Sequence, residues 1–186
     1  MQKCDLKEKY QKEVVPKMME EFNLKNPFQV PRIEKVVINS GIGKLLNSFP
    51  SDKQPQIIEE ILSDLALITG QRPALCPARK SISSFRVKKG MPVGVKVTLR
   101  RQRMYDFLAR LIHIVLPRLR DFKGIDLKSF DKNGNLTIGI KEQTVFPEIK
   151  PKDFTFGLEI TVVTSCDDRE KSIELLRLLG FPLKRK

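Results

Sequence analysis

The sequence has no tryptophan, one histidine and three cysteines among 186 residues, and aromatics make up only 7%. Each shortage removes a class of function. Cys4, Cys76 and Cys166 are odd in number and far apart, with no C-x-x-C, which argues against a disulfide framework and against zinc. His113 sits between apolar neighbours with no Ser or Cys partner in the local sequence, so neither acid–base nor nucleophilic catalysis finds its residues. "GIGK", Gly41 to Lys44, lacks the glycine spacing of a phosphate loop and is followed by Leu45 where Ser or Thr is needed, so it reads as a turn. Long apolar runs are missing too. "FLARLIHIVLPRL" is interrupted by Arg110 and Pro117 and is too short to span a bilayer. The opening "MQKCDLKEKYQKE" mixes both charges without an apolar stretch, unlike a signal or transit peptide. The expectation is a protein of the cytoplasm or its organellar equivalent, without metal or cofactor and with no evident catalytic residue.

The most telling shortage is of acid. Between Asp64 and Asp106 there is none, while ten of the 35 Lys and Arg fall there. The remaining 25 basic residues face 22 acids, so nearly all of the net charge of +13 is local. Charge packed this way opposes folding unless a polyanion neutralises it, which points to nucleic acid or an anionic membrane. The cluster has no accompanying apolar helix face of Trp, Phe and Leu, which disfavours the membrane.

What is present reads as alternating elements. Leu6, Tyr10, Val14, Met18 and Phe22 recur every four residues, an N-terminal helix over about 3–24 in which Pro16 predicts a kink or break. "RIEKVVINSGIGK" reads as a strand ending near Asn39, and Ile57 to Ile68 as a helical stripe stopped at Gly70. Val93, Val95, Val97 and Leu99 alternate with Gly94, Lys96, Thr98 and Arg100. Leu136, Ile138 and Ile140 repeat the pattern, and so do Leu158, Ile160 and Val162. One helix carries Met104 to Leu116 and ends at Pro117; another begins near Ser165, Asp167 and Asp168 and stops at Gly180. Strands with one apolar and one polar face, among amphipathic helices, imply an α+β fold: an antiparallel or mixed sheet with helices on one face, an open polar and basic face, and a long basic loop over about 72–92. The whole chain reads as one domain.

Base stacking is not the expected mode, because none of the three alternating strands carries an aromatic residue. Gly90 to Gly94 does not give a G-x-x-G clamp. Nothing has the look of a major-groove reader. Folded RNA recognised by shape, through phosphate and 2′-hydroxyl contacts, fits best. On the residues alone, an RNA chaperone or regulator and, more remotely, an RNA-modifying enzyme stay open.

Six blocks go further: "VPRIEKVVINSGIGK", "LITGQRP", "ARKSISSFRVKKGMPVGVKVTLRRQRMYDFL", "LPRLRDFKG", "KSFDKNGNLTIGIKEQTVFPEI" and "LLRLLGFPLKRK". In order and in detail the chain resembles the family of bacterial-type large-subunit ribosomal protein number five, which binds 5S ribosomal RNA. The resemblance implies a place in the central protuberance of the large ribosomal subunit. It also implies partners: 5S and large-subunit ribosomal RNA, peptidyl-site transfer RNA, small-subunit ribosomal protein thirteen across an intersubunit bridge, and neighbouring central-protuberance proteins.

Carried over residue by residue, the resemblance puts ribosomal RNA contacts at Asn39, Gln71 and Thr98, and the charge pattern adds Lys96, Arg100, Arg101 and Arg103. The transfer-RNA-facing loop is expected to use Arg79, Lys80, Ser81, Arg86, Lys88 and Lys89. The chain departs from the family's pattern in places. Cys76 and Pro77 stand where Thr and a basic residue are usual, and Arg101 replaces a usual glycine. "LLNSFPSDKQPQ" is atypical, and the segment between Glu148 and Leu158, near which the bridge is expected, is short.

Overall fold

The computed structural model describes residues 6–85, 87–120 and 122–184, with the backbone but not the side chain of Phe85. Cys4 and Arg86 therefore lie outside the described residues. Residues up to Val36, Leu99–Ile138 and those from Thr161 onward form one compact unit, and Val37–Thr98 with Gly139–Ile160 form a second.

In the first unit, helix α1 spans residues 6–21 and buries Leu6, Val14 and Met18. Pro16 neither breaks it nor stands in an ordinary α turn. Residues Tyr10–Val14 form a widened π turn, and the Val15 N–H bonds to the carbonyl of Tyr10, five residues back. A proline has no N–H and its ring collides with the carbonyl four residues behind, so a wide turn just upstream lets the helix continue. The same device recurs before Pro117, where Leu111–Val115 is a π turn and the Leu116 N–H reaches the Leu111 carbonyl. The helix expected to stop at Pro117 runs on to Arg118 for that reason.

The helices α2, Gly43–Leu46, and α3, Gln54–Thr69, belong to the second unit. Helix α4 (residues 101–118) packs on α1, and α5 (Arg169–Leu179) completes the first unit. Asp168 caps α5 by accepting N–H bonds from Glu170 and Lys171. Desolvation pushes the Asp168 carboxyl up, but those bonds and the Lys171 ammonium outweigh it and hold the group below the usual carboxylate range.

The five strands are β1 (Ile33–Gly41), β2 (Ala74–Pro77), β3 (Pro92–Leu99), β4 (Leu136–Ile140) and β5 (Leu158–Thr164). They form one antiparallel sheet in the order β2-β3-β1-β5-β4. Val36, Ile38, Val95, Val97, Ile138, Ile140, Leu158 and Ile160 are buried, while Asn39, Lys96, Gly139 and Glu159 on the alternate positions are exposed. The α+β fold with a one-sided sheet expected from alternation is what the chain forms. In the second unit α3 supplies Ile57, Ile61, Leu65 and Ile68 to the core. Each such side chain contributes about 1.5–3 kcal/mol relative to leaving it in water.

Three elements differ from the sequence reading. Strand β1 continues past Asn39 to Gly41, because Ser40 is buried and its hydroxyl donates to the Gly157 carbonyl at 2.8 Å. The turn expected at "GIGK" is the end of β1 followed by the short helix α2, held by buried Ile42 and Leu46. Strand β2 is new; its "ALCP" has no alternation and is ordered by pairing with β3, Ala74 opposite Lys96 and Cys76 opposite Gly94.

Candidate nucleic-acid interface

Asn39 stands exposed on β1 between buried Ile38 and Ser40. Its Nδ2 donates to Glu159 Oε2 at 3.5 Å. A Cβ on residue 94 would lie 3.3 Å from the Ser40 carbonyl and 3.9 Å from Asn39 Oδ1, so Gly94 keeps the two strands close and the asparagine uncrowded.

Gln71 is placed by the end of α3. Gly70 takes φ +67° and stops the helix. The Thr69 hydroxyl donates to the Leu65 carbonyl at 2.6 Å and accepts the Gln71 N–H at 3.3 Å. Gln71 Nε2 then donates to the Thr98 carbonyl at 3.2 Å, joining residues 27 apart in sequence. One N–H of the amide is spent on the fold, leaving the other, Oε1 and the Thr98 hydroxyl, which bonds to no described residue, as polar groups of the half-buried surface. Lys96 is exposed on the same strand as Thr98. Asn39, Gln71, Lys96 and Thr98 thus all belong to the second unit, with Thr98 tied to Gln71 and Asn39 tied to Glu159.

The basic loop is a hairpin extension of β2 and β3. Pro77 faces Pro92, and the register slips there because β3 carries one extra residue, Val93. The Val93 carbonyl accepts the Ile42 N–H at 3.0 Å instead. Beyond the two prolines the hairpin resumes with Ala78 N–H to Met91 O at 2.8 Å and Gly90 N–H to Ala78 O at 2.9 Å. Ile82 and Val87 then exchange N–H bonds of 2.9 and 3.1 Å. Ser81, expected to face transfer RNA, accepts the Lys89 N–H at 2.9 Å and so braces the hairpin itself. Gly90, with φ +87°, makes the reversal a side chain would strain.

Arg79, Lys80, Lys88 and Lys89 are exposed on this hairpin, and no described carboxylate pairs with any of them. Several cations elsewhere are matched: Lys12 with Glu8, Lys152 with Asp64 and Glu60, Lys171 with Asp168, Arg177 with Glu174. Arg100, Arg101 and Arg103 belong to the first unit, are exposed and likewise pair with no described acid. Arg101 adopts φ +54°, the left-handed region in which glycine is at ease and arginine is not. That conformation gives a physical reason for a glycine at this position.

Two residues of the polar face were passed over in the sequence reading. Glu159 was visible as a polar alternate, but its sign hid its partnership with Asn39. Gly94 looked like one more small residue, and only strand pairing shows what it makes room for. His113 is exposed on the π turn of α4, and the described residues hold no cluster of His, Cys, Asp and Glu fit for a metal ion. No helix among the described residues is long and apolar enough to cross a membrane.

Comparison with known proteins gives the same direction as the charge and the sheet. Residues 26–88 match the profile described as ribosomal protein L5, and residues 92–183 match the profile of that ribosomal family's C-terminus. The large ribosomal subunit protein uL5 of Halothermothrix orenii is 47% identical over 97% of this chain and 98% of its own length. That of Dictyoglomus thermophilum is 52% identical over the same shares. That of Thermotoga maritima is 50% identical over 97% of this chain and 96% of its own. With both halves matched and relatives near half identity along almost the whole length, the chain belongs to the bacterial-type uL5 family, structural and non-enzymatic proteins of the large ribosomal subunit.

Proposed function

We propose that this large-subunit protein binds 5S ribosomal RNA with the polar sheet face of its second unit and helps attach it to the large-subunit RNA in the central protuberance. The observation that carries the reading is an exposed face bearing Asn39, Lys96 and Thr98, with Gln71 fastened to the Thr98 strand. Amide, hydroxyl and ammonium groups on a strand surface suit ribose and phosphate contacts, and shape rather than stacking suits a folded RNA. The hairpin cations, unmatched by carboxylates, serve a different polyanion, the peptidyl-site transfer RNA. The intersubunit bridge to small-subunit ribosomal protein thirteen falls to the segment between Glu148 and Leu158.

The test compares isolated 5S ribosomal RNA with unstructured RNA at several salt concentrations. If about six cations meet phosphates, affinity falls roughly 10³-fold between 50 and 200 mM salt. The double change Asn39→Ala with Thr98→Ala weakens 5S binding, whereas Lys88→Gln with Lys89→Gln spares most of it and acts on assembled ribosomes. Equal loss in the two variants removes the division of labour. Equal affinity for the two RNAs favours a chaperone instead.

A further inference from the structure

Two stretches of the second unit depart from the family's pattern, the atypical "LLNSFPSDKQPQ" of residues 45–56 and the short segment between Glu148 and Leu158, and the fold brings them together. The Phe49 and Phe154 rings, one from each, meet edge to face with centroids 6.3 Å apart at 77°. Both rings are half-buried.

Each stretch is ordered by a glutamine. Gln54 Nε2 donates to the Leu46 carbonyl at 3.0 Å and to the Phe49 carbonyl at 3.2 Å, which folds the link between α2 and α3 back on itself. Gln143 is fully buried; its Nε2 donates to the Phe154 carbonyl at 3.2 Å and its Oε1 accepts the Phe156 N–H at 2.8 Å. Lys152 then ties the second stretch to α3 through Asp64 and Glu60. A surface fixed in this way loses little conformational entropy when a partner docks on it.

Its charge is unlike that of the hairpin. Residues 45–60 and 148–157 carry five acids and three bases, in a chain of net charge +13. One of those bases, Lys152, is already engaged within the chain. Asp52 and Asp153, one in each stretch, are exposed and pair with no described cation. Carboxylates repel phosphate, so the surface suits RNA poorly. Aromatic rings and unmatched carboxylates in the same stretches suit arginine and lysine side chains.

We propose that the two stretches act as one protein-docking platform for a basic polypeptide segment, with the Phe49–Phe154 pair as its apolar anchor and Asp52 and Asp153 as its charged rim. The idea rests on the reading that the segment between Glu148 and Leu158 faces the small subunit, and adds residues 45–56, which that reading leaves out.

Large subunits assembled with the full chain are mixed with small subunits at limiting magnesium, and association is followed by light scattering. The affinity of each variant chain for isolated 5S ribosomal RNA is measured alongside, and stays at the parental level throughout. Phe49→Ala weakens subunit association about three- to tenfold, and Phe49→Tyr, which keeps the ring, restores it. Asp52→Lys and Asp153→Lys each weaken association about two- to fourfold, less so as salt rises, and neither moves Tm, which separates a contact from a packing defect. If Asp153→Lys weakens association while Phe49→Ala and Asp52→Lys leave it unchanged, the platform falls and the bridge reading stands. Parental association in all three overturns both. Tighter association in the two lysine variants means that the face meets RNA, and overturns the basic polypeptide as its occupant.

Discussion

Lys152 and the lysines of the basic hairpin lie in the same unit and are treated in opposite ways. Lys152 Nζ sits 2.9 Å from Asp64 Oδ1 and 3.5 Å from Glu60 Oε2, with the Phe154 ring centroid at 5.8 Å. Lys80, Lys88 and Lys89 meet no described carboxylate at all. A cation that fastens the short segment after Glu148 to α3 is matched within the chain. A cation meant for a partner stays unmatched, since an internal carboxylate would have to be displaced each time the partner bound. On the proposed reading, the matched Lys152 is a structural cation and the unmatched hairpin cations are interfacial ones.

The largest effect expected from that contrast follows removal of Lys152. The Asp64 side chain is only 6% exposed, and its Oδ2 is already buried without a partner among the described residues. Lys152→Ala leaves that carboxylate uncompensated and destabilises the fold by about 3 kcal/mol, read as a lower urea midpoint at unchanged m-value. Combining Lys152→Met with Asp64→Leu recovers most of the loss, since an apolar pair of similar volume can replace a buried ion pair. An Ala variant as stable as the parent would erase the distinction between the two sets of cations.

The second test inverts the first. Changing Arg79, Lys80, Lys88 and Lys89 together to Gln leaves the urea midpoint unchanged or slightly raised, because only mutual repulsion is removed. The log–log salt slope for docking on assembled ribosomes falls by about 3 to 4 if all four meet phosphates. Four lysine and arginine changes that cost less stability than one would be the clearest expression of the contrast.

The same contrast explains how much the sequence revealed. Alternation named the sheet faces correctly, because a period of two leaves its mark in side chains such as Val95, Val97, Ile138 and Ile160. Strand β2 left no such mark; its order comes from backbone pairing with β3, which no local pattern encodes. The prolines at 16 and 117 were legible as disturbances, but the answer to them is a widening of backbone turns, not a change of side-chain period. At the candidate interface, resemblance named Asn39 and Thr98, and the residue pattern agreed by placing Thr98 on a polar strand face and Asn39 near a strand end. Gln71 came only from resemblance, because its position depends on the left-handed backbone of Gly70 and on a bond to the Thr69 hydroxyl, neither of which a side-chain period encodes. The acid-free stretch and its division between a loop and a strand were plain in the sequence, but the backbone pairing that makes the loop a hairpin was not.

A smaller effect separates two phenols of the first unit. The Tyr10 hydroxyl donates to the Pro31 carbonyl at 3.0 Å, whereas that of Tyr105 has no described partner. Burial, with the neighbouring Tyr105 adding to it and Arg32 opposing, pushes Tyr10 up to about 12. Below pH ~10, the ordinary phenol value, both folded and unfolded chains keep the proton and the group contributes fully. Above that value the unfolded chain loses its proton first, so stability falls as pH rises toward the folded value. Tyr10→Phe costs about 1 kcal/mol at neutral pH and flattens the alkaline fall between urea midpoints measured at pH 9 and 11. An equal fall in both variants would assign the alkaline sensitivity to another group.

The smallest effect probes the exception, an acid standing on the proposed RNA face. Glu159 is exposed and accepts from Asn39 Nδ2 at 3.5 Å, so it both orients a contact residue and repels phosphate. At an exposed site an interaction of this length is worth about 0.5 kcal/mol, and repulsion from several phosphates within a Debye length of roughly 8–10 Å exceeds it. Glu159→Gln keeps an acceptor for Asn39 while removing the charge, and raises 5S ribosomal RNA affinity about two- to threefold without moving Tm. Glu159→Ala removes both charge and acceptor, and its gain is smaller because Asn39 loses its orientation. A fall in affinity for the Gln variant would mean that the negative charge is part of the recognition surface, and that matching within the chain reaches further onto this face than its lysine and threonine suggest.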